Sequence, residues 1–325
     1  MKQEGEVSQG MSPTGEQIEL SHGNHKAVVV ELGAGLREYT IDGRLVVEGY
    51  ARNEMCPVGR GNILSPWPSR IKNGRYTFLG MKNQLPVVSP EQPYAVHGFV
   101  RWEKWAITEV NQSSVVMSHE VLPRPGYPFS LSLQVRYELS DNGLSVKLSA
   151  TNVGLTECLY GVGFHPYFSA GAQIVDDAYL QVPADSWCDV DESDSQISFH
   201  SVEGTLHDFR RLKRIGDSQL RYLAVLKSDS RDGISRIKLY SPQSNRTVTV
   251  WADSSLPYAL LFTGDPLPVD YRRRAIAIEP FSCPPNAFRQ QWQDAILRPQ
   301  QTHQVFWGIQ ESIGLSAITP TGDAK

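Results

Sequence analysis

Glu279 lies in the run Ile276-Ala-Ile-Glu-Pro-Phe-Ser-Cys-Pro-Pro-Asn-Ala-Phe288, one carboxyl among aliphatic, aromatic and proline residues. Carboxylates are almost never buried without a partner or a task. Desolvation raises their proton affinity toward neutrality, where they serve as general bases. His165 has a comparable setting in Tyr160-Gly-Val-Gly-Phe-His-Pro-Tyr-Phe168. Imidazole titrates near neutral pH and can give and recover a proton. Arg70 in Ser65-Pro-Trp-Pro-Ser-Arg-Ile71 and His97 in Tyr94-Ala-Val-His-Gly-Phe99 are also ionisable groups in rigid surroundings. Both can donate hydrogen bonds to a polar ligand. Each also has a bland alternative: His165 and His97 as core histidines, Arg70 as a loop clamp. Arg272-Arg273-Arg274 reads as a solvated loop that could also grip a phosphate. His22-x-x-His25 has no third ligand nearby, and Cys56, Cys158, Cys188 and Cys283 form no CxxC pair, so no metal centre is expected.

Such groups need a scaffold, and the dominant pattern is two-residue alternation. From Leu131 to Leu139 every odd position is apolar and every even one polar. After Asp141-Asn142-Gly143 the alternation resumes at Leu144, Val146, Leu148 and Ala150. Asn-Gly supplies positive φ cheaply, so this reads as a hairpin. Ala27–Leu32, Arg37–Ile41 and Leu45–Val47 form a similar series around Asp42-Gly43. Tyr222–Lys227, Ile237–Tyr240 and Thr247–Trp251 form another. The one short helix expected is Phe288–Ile296, with Phe288, Trp292 and Ile296 on one face. The pattern predicts an all-β chain, one large antiparallel sandwich or barrel over residues 19–315. Polar tails are expected at 1–18 and 316–325. No fixed-period repeat suggests a propeller or solenoid.

The chain has 325 residues, with 31 Lys+Arg against 35 Asp+Glu. That balance argues against a broad nucleic-acid surface, and no apolar run is long enough for a membrane helix or a secretory signal. Sparse, unpaired cysteines favour a cytoplasmic protein.

The ordered set Pro68-Ser-Arg-Ile71, Gly74-Arg-Tyr-Thr-Phe-Leu-Gly80, His97-Gly-Phe99, Gly161-x-Gly-Phe-His-Pro-Tyr-Phe168 and Ala277-Ile-Glu-Pro280 resembles the aldose 1-epimerase (galactose mutarotase) family, from about residue 25 to 310. The resemblance implies an antiparallel β-supersandwich with few short helices and a sugar cleft on one face. It implies interconversion of α and β anomers of an aldose by acid/base ring opening and reclosure. It further implies no cofactor or metal, and a small sugar as the partner of a monomer or homodimer. Matched position by position, Glu279 falls on the catalytic base and His165 on the catalytic acid, with Arg70 and His97 on sugar-binding residues. Trp67, Tyr167 and Trp251 are aromatics that could pack on a sugar face, with Trp251 the further candidate.

Three positions depart from the family pattern. Ser69 stands where Asn is frequent, and Leu260 where some members have Gln. In Leu220-Arg-Tyr-Leu-Ala224, Arg221 takes the place of a sugar-binding Asp. A guanidinium only donates, so a second reading is an epimerase of an anionic or phosphorylated sugar, with Arg221 and Arg272–Arg274 as anion ligands. A third is a carbohydrate-binding or sensing module that keeps the cleft without turnover.

Overall fold

Alternation resolves into paired strands with one face toward a common core. In the computed structural model, which describes residues 12–190 and 197–314, Leu131–Ser140 and Gly143–Asn152 form an unbroken antiparallel hairpin, with Leu139 opposite Leu144. Leu131, Leu133, Val135 and Tyr137 are fully buried, and the polar residues between them are not. Residues 1–11 and 315–325, which include most of the expected tails, lie outside the described residues. The strand Gln17–His22 begins inside the stretch expected as the first tail.

Most of the described strands form two large antiparallel sheets, and the rest pair as three short two-stranded ribbons. The larger runs in the order Gln17–His22, His25–Val30, Leu36–Ile41, Arg44–Val47, Tyr167–Phe168, Ile276–Phe281, Tyr258–Phe262, Arg221–Leu226, Ala184–Asp189, His200–Ser201. Gly163–Phe164 and Ile63–Leu64 attach beside Ile276–Phe281. The second sheet runs Ala106–Val110, Ser114–Val121, Leu131–Ser140, Gly143–Asn152, Thr302–Ile313, Arg246–Ala252, Ser235–Ser241, Tyr179–Gln181, Lys213–Arg214. Neither closes on itself. One core draws on both: Val29, Tyr39, Tyr222 and Ile278 from the first sheet, Val135, Val146, Val250 and Trp307 from the second. The all-β sandwich expected from the alternation is what is observed.

Two local expectations need correction. The 222–227 stretch belongs to the larger sheet and pairs with Tyr258–Phe262, whereas Ser235–Ser241 and Arg246–Ala252 form a hairpin in the second. The turn at 228–234 therefore carries the chain from one layer to the other. Residues 288–296 do not form the amphipathic helix. They make turns and a single 3-10 turn, Gln293–Ala295. Gln291 lies in the left-handed region at φ 47°, which interrupts any helical run. The three apolar side chains also have separate destinations. Phe288 packs on Trp67 and Tyr76, Trp292 on Phe199, and Ile296 pairs with Leu159. Among the described residues, no helix is long and apolar enough to cross a membrane.

Candidate active site

Strand parity sets the site. Ile276 and Ile278 enter the core between the sheets, so the pleat turns Ala277, Glu279 and Phe281 to the opposite face. On one side Glu279 stands opposite Leu260. On the other, Gly163 stands opposite Phe281 and Tyr167 opposite Ala277, and the same register sets His165 opposite Glu279. The backbone of His165 bonds away from that strand. Its N–H donates to the Asn62 carbonyl at 3.2 Å, and its carbonyl accepts from the Gly61 N–H at 2.8 Å. The glycines ahead of His165 allow the close approach. A Cβ at 163 would lie 2.4 Å from the Phe281 ring, and one at 161 would lie 2.4 Å from Cys283 Sγ. Ser282 fastens the same segment: its hydroxyl oxygen accepts the Val162 N–H at 2.9 Å, and its own N–H donates to the Val162 carbonyl at 2.9 Å.

Arg70 and His97 come from a separate ribbon, Arg70–Lys72 paired with Tyr94–Val96. The His97 N–H donates to the Ser69 carbonyl at 2.8 Å, and both residues hold positive φ, 63° and 54°. Backbone held there costs on the order of 1–3 kcal/mol per residue and tends to mark functional sites. Asn286, just beyond the strand of Glu279, ties in the ribbon. Its Oδ1 accepts the Lys72 N–H at 2.8 Å, and its N–H donates to the Arg70 carbonyl at 2.8 Å. The Arg70 guanidinium stands over the Tyr94 ring, 5.2 Å from its centroid.

These elements enclose a cavity of about 280 Å³ lined by Ser69, Arg70, His97, His165, Val190, Arg221, Leu260, Phe262, Pro266 and Glu279. That is near the small end of ligand sites, the scale of a single sugar ring. Glu279 is 1 % and His165 6 % exposed. Glu279 Oε1 lies 3.5 Å from His165 Nε2. Glu279 Oε2, His165 Nδ1 and His97 Nδ1 are buried without a hydrogen-bond partner among the described residues. Burying so many unsatisfied polar atoms is costly unless a ligand completes them.

The field at this wall is cationic. Desolvation pushes the Glu279 carboxyl well above the usual carboxylate range. Burial, then the guanidinium groups of Arg60 and Arg101, lowers His165 to about 3. Burial holds His97 well below its ordinary value, followed by His165, Arg101 and Arg70. Between those limits the Glu279–His165 pair carries one proton, and its titrations belong to the pair rather than to either residue. Behind the pair lies a stack. The rings of His165 and Tyr167 are 5.1 Å apart and nearly parallel, at 11°. Arg60 is wedged between Tyr167 and Tyr271, 4.0 and 4.6 Å from their centroids. Sequence reasoning missed Arg60, Arg101, Phe262 and Pro266. The signal for Arg60 was present in Gly59-Arg60-Gly61, a charge between two residues that permit tight packing.

The cavity thus gathers five of the six proposed site residues: Glu279, His165, Arg70, His97 and Arg221. It leaves out Trp251, which lies on the second sheet, packed against Phe306 at 4.8 Å and over Gly308. Trp67 is also core, edge-on to Phe99 and Phe288. None of the three consecutive arginines lines the cavity. Arg273 instead ties loops together, bonding Asp176 at 2.7 Å, Asp265 at 2.5 Å and the carbonyls of Gly216 and Ser218.

The family model for aldose 1-epimerase matches residues 16–309. Among curated proteins, the uncharacterized YihR of Escherichia coli K12 is 32 % identical over 300 residues, covering 92 % of this chain and 94 % of YihR. A GalM/aldose epimerase homologue from C. elegans superposes with a TM-score of 0.81 at 21 % identity, covering 92 % of this chain and 99 % of its own. Galactose 1-epimerase from Lactobacillus acidophilus gives 0.77 at 21 %, over 92 % and 94 %. These two share the fold described above. With the family model covering nearly all of both sheets, the chain belongs to the aldose 1-epimerase family.

Proposed function

We propose that the protein interconverts the α and β anomers of an aldose, with Glu279 as general base and His165 as general acid. The observation that carries this reading is the buried Glu279–His165 pair, 3.5 Å apart on the wall of a ring-sized cavity. The anomeric hydroxyl oxygen and the ring oxygen are bonded to the same carbon, so an acid and a base serving them must stand next to each other.

In the forward half-reaction Glu279 takes the proton of the anomeric hydroxyl while His165 delivers one to the ring oxygen. The bond from the anomeric carbon to the ring oxygen breaks, its electron pair goes to the ring oxygen, and a carbonyl forms. The C1–C2 bond then rotates, and the same two groups run the steps in reverse to close the ring on the other face. The proton count returns to its starting value, as an isomerisation requires. Each group contributes roughly 10²–10⁴-fold. Arg70 and His97 donate to sugar oxygens and hold the ring in place. The step requires the one proton of the pair to sit on His165 with Glu279 ionised, and the raised proton affinity of Glu279 then makes it the stronger base. We also assign the protein to a reducing, cytoplasmic setting, supported by four cysteines that are all free and buried.

The test follows a freshly dissolved pure anomer by polarimetry, with and without protein. Acceleration above the spontaneous rate is expected. Sugar binding without acceleration would make the protein a binding module instead.

A further inference from the structure

Arg221 closes the end of the cavity remote from the acid–base pair. It heads the strand Arg221–Leu226, pairs with Phe262, and through it faces Ala277. Glu279 is two residues further along and two strands away on the same face. At about 4.8 Å per strand and 3.4 Å per residue, the two Cα atoms are roughly 12 Å apart. A carboxyl reaching in from one end and a guanidinium from the other leave about one pyranose ring between them.

Among the described residues, the charged groups of the lining are mostly cationic. Two guanidinium groups, Arg70 and Arg221, face one carboxyl, that of Glu279, which desolvation biases toward its neutral form. Beyond the effect of burial, the Arg101 guanidinium lowers both histidines and the buried Arg60 lowers His165. Among the described lining residues, two forked donors and a single carboxyl are a poor match to the vicinal hydroxyls of a neutral sugar, which need acceptors as well as donors. It is well matched to an oxyanion, which guanidinium binds through two parallel, charge-assisted hydrogen bonds.

We propose that the aldose taken by this site carries an anionic oxyacid group (carboxylate, sulfonate or phosphate) at the end of the ring away from the anomeric carbon, and that Arg221 receives it. The inference rests on the epimerase reading and narrows its substrate. Arg221 is then the specificity-determining residue, and Arg70 fixes the ring between the two ends. Phe262 and Pro266 line the cavity together with Arg221, and Arg221 itself is exposed, so an anionic group can reach its guanidinium from solvent.

The experiment measures anomer exchange by NMR for glucose, glucuronate, glucose 6-phosphate and the corresponding 6-sulfonate, in wild type, Arg221→Gln and Arg221→Lys. The expected result is that at least one anion exceeds glucose in kcat/KM by about tenfold or more in wild type. That ratio falls about tenfold or more in Arg221→Gln and recovers in part in Arg221→Lys, which keeps the charge but loses the fork. Added salt lowers kcat/KM for the preferred anion more than for glucose. Which anion responds identifies the oxyacid. Turnover of glucose at a rate equal to or above all three anions overturns the anionic-substrate inference while leaving the epimerase reading intact. So does an anion preference that Arg221→Gln does not change. Failure to accelerate exchange of any of the four sugars sinks the epimerase reading, and this inference with it.

Discussion

At the scale of single residues, Glu279 and His165 are tuned in opposite directions by one environment. Burial raises the carboxyl and lowers the imidazole, so together they hold one proton across the middle of the pH range. The rate should fall on the acid side as the pair takes up a second proton toward about pH 3. It should fall on the alkaline side as the pair loses its proton through the raised value of Glu279. A flat profile across that range in folded protein would contradict the pairing. Arg60→Met removes a cation that holds His165 down, so the acid limb should move to higher pH. An NMR titration of the His165 ring measures this directly, and an unmoved His165 would remove Arg60 from the electrostatics. The same tuning has a stability cost with a definite sign. Glu279 has a folded-state value above its ordinary 4.5, so the native state is unpenalised below 4.5 and destabilised as pH rises through the folded value. Glu279→Gln has no proton to lose and should gain stability relative to wild type between pH 4 and pH 8. Thermal melts at the two pH values check it. Glu279, His165, Arg70 and His97 were legible because each is a lone titratable group in rigid apolar sequence. Arg60 was not, because its charge acts on His165 only once the fold brings together residues about a hundred positions apart.

At the scale of elements, the site depends on how closely the 160–168 segment lies against Ile276–Phe281. Gly163→Ala would place a methyl against the Phe281 ring, and overpacking of this kind costs about 1–3 kcal/mol. The same displacement separates His165 from Glu279, so turnover should fall at least tenfold in protein that still melts cooperatively. A near-normal rate would mean that the register does not set the acid–base distance. Alternation made the central strands legible, since their one-sided burial is written directly in period two. It did not reveal which layer each strand joins. Tyr222–Lys227 and Ile237–Tyr240 look like consecutive hairpin arms, yet they lie in different sheets, because pairing partners are chosen by packing across the core. The stretch 288–296 misled for a related reason. Its helical spacing is real, but Phe288, Trp292 and Ile296 serve three separate contacts.

At the scale of the whole molecule, the last of the described strands holds the second sheet together. Thr302–Ile313 lies between Gly143–Asn152 and Arg246–Ala252, pairing with both. Removal of residues 302–314 should therefore abolish cooperative unfolding rather than trim an edge. A truncated protein with a sharp thermal transition would contradict that. The larger sheet turns one face to the shared core and presents the other to the cavity, so a single sandwich both buries its apolar residues and mounts Glu279 and His165 on the cavity wall. The sandwich was legible from the sequence, but the site face was not. It follows from the parity of three adjacent strands, which only their registers establish. On the proposed function, this face carries a working acid–base pair for anomer exchange. Its most direct test is NMR exchange between the α and β signals of a sugar the wild type accepts, measured with equal concentrations of folded wild type and Glu279→Gln. Exchange well above the spontaneous rate is expected in wild type, with a loss of roughly 10²–10⁴-fold in the variant and sugar still bound. A variant that retains more than half the wild-type acceleration would contradict it.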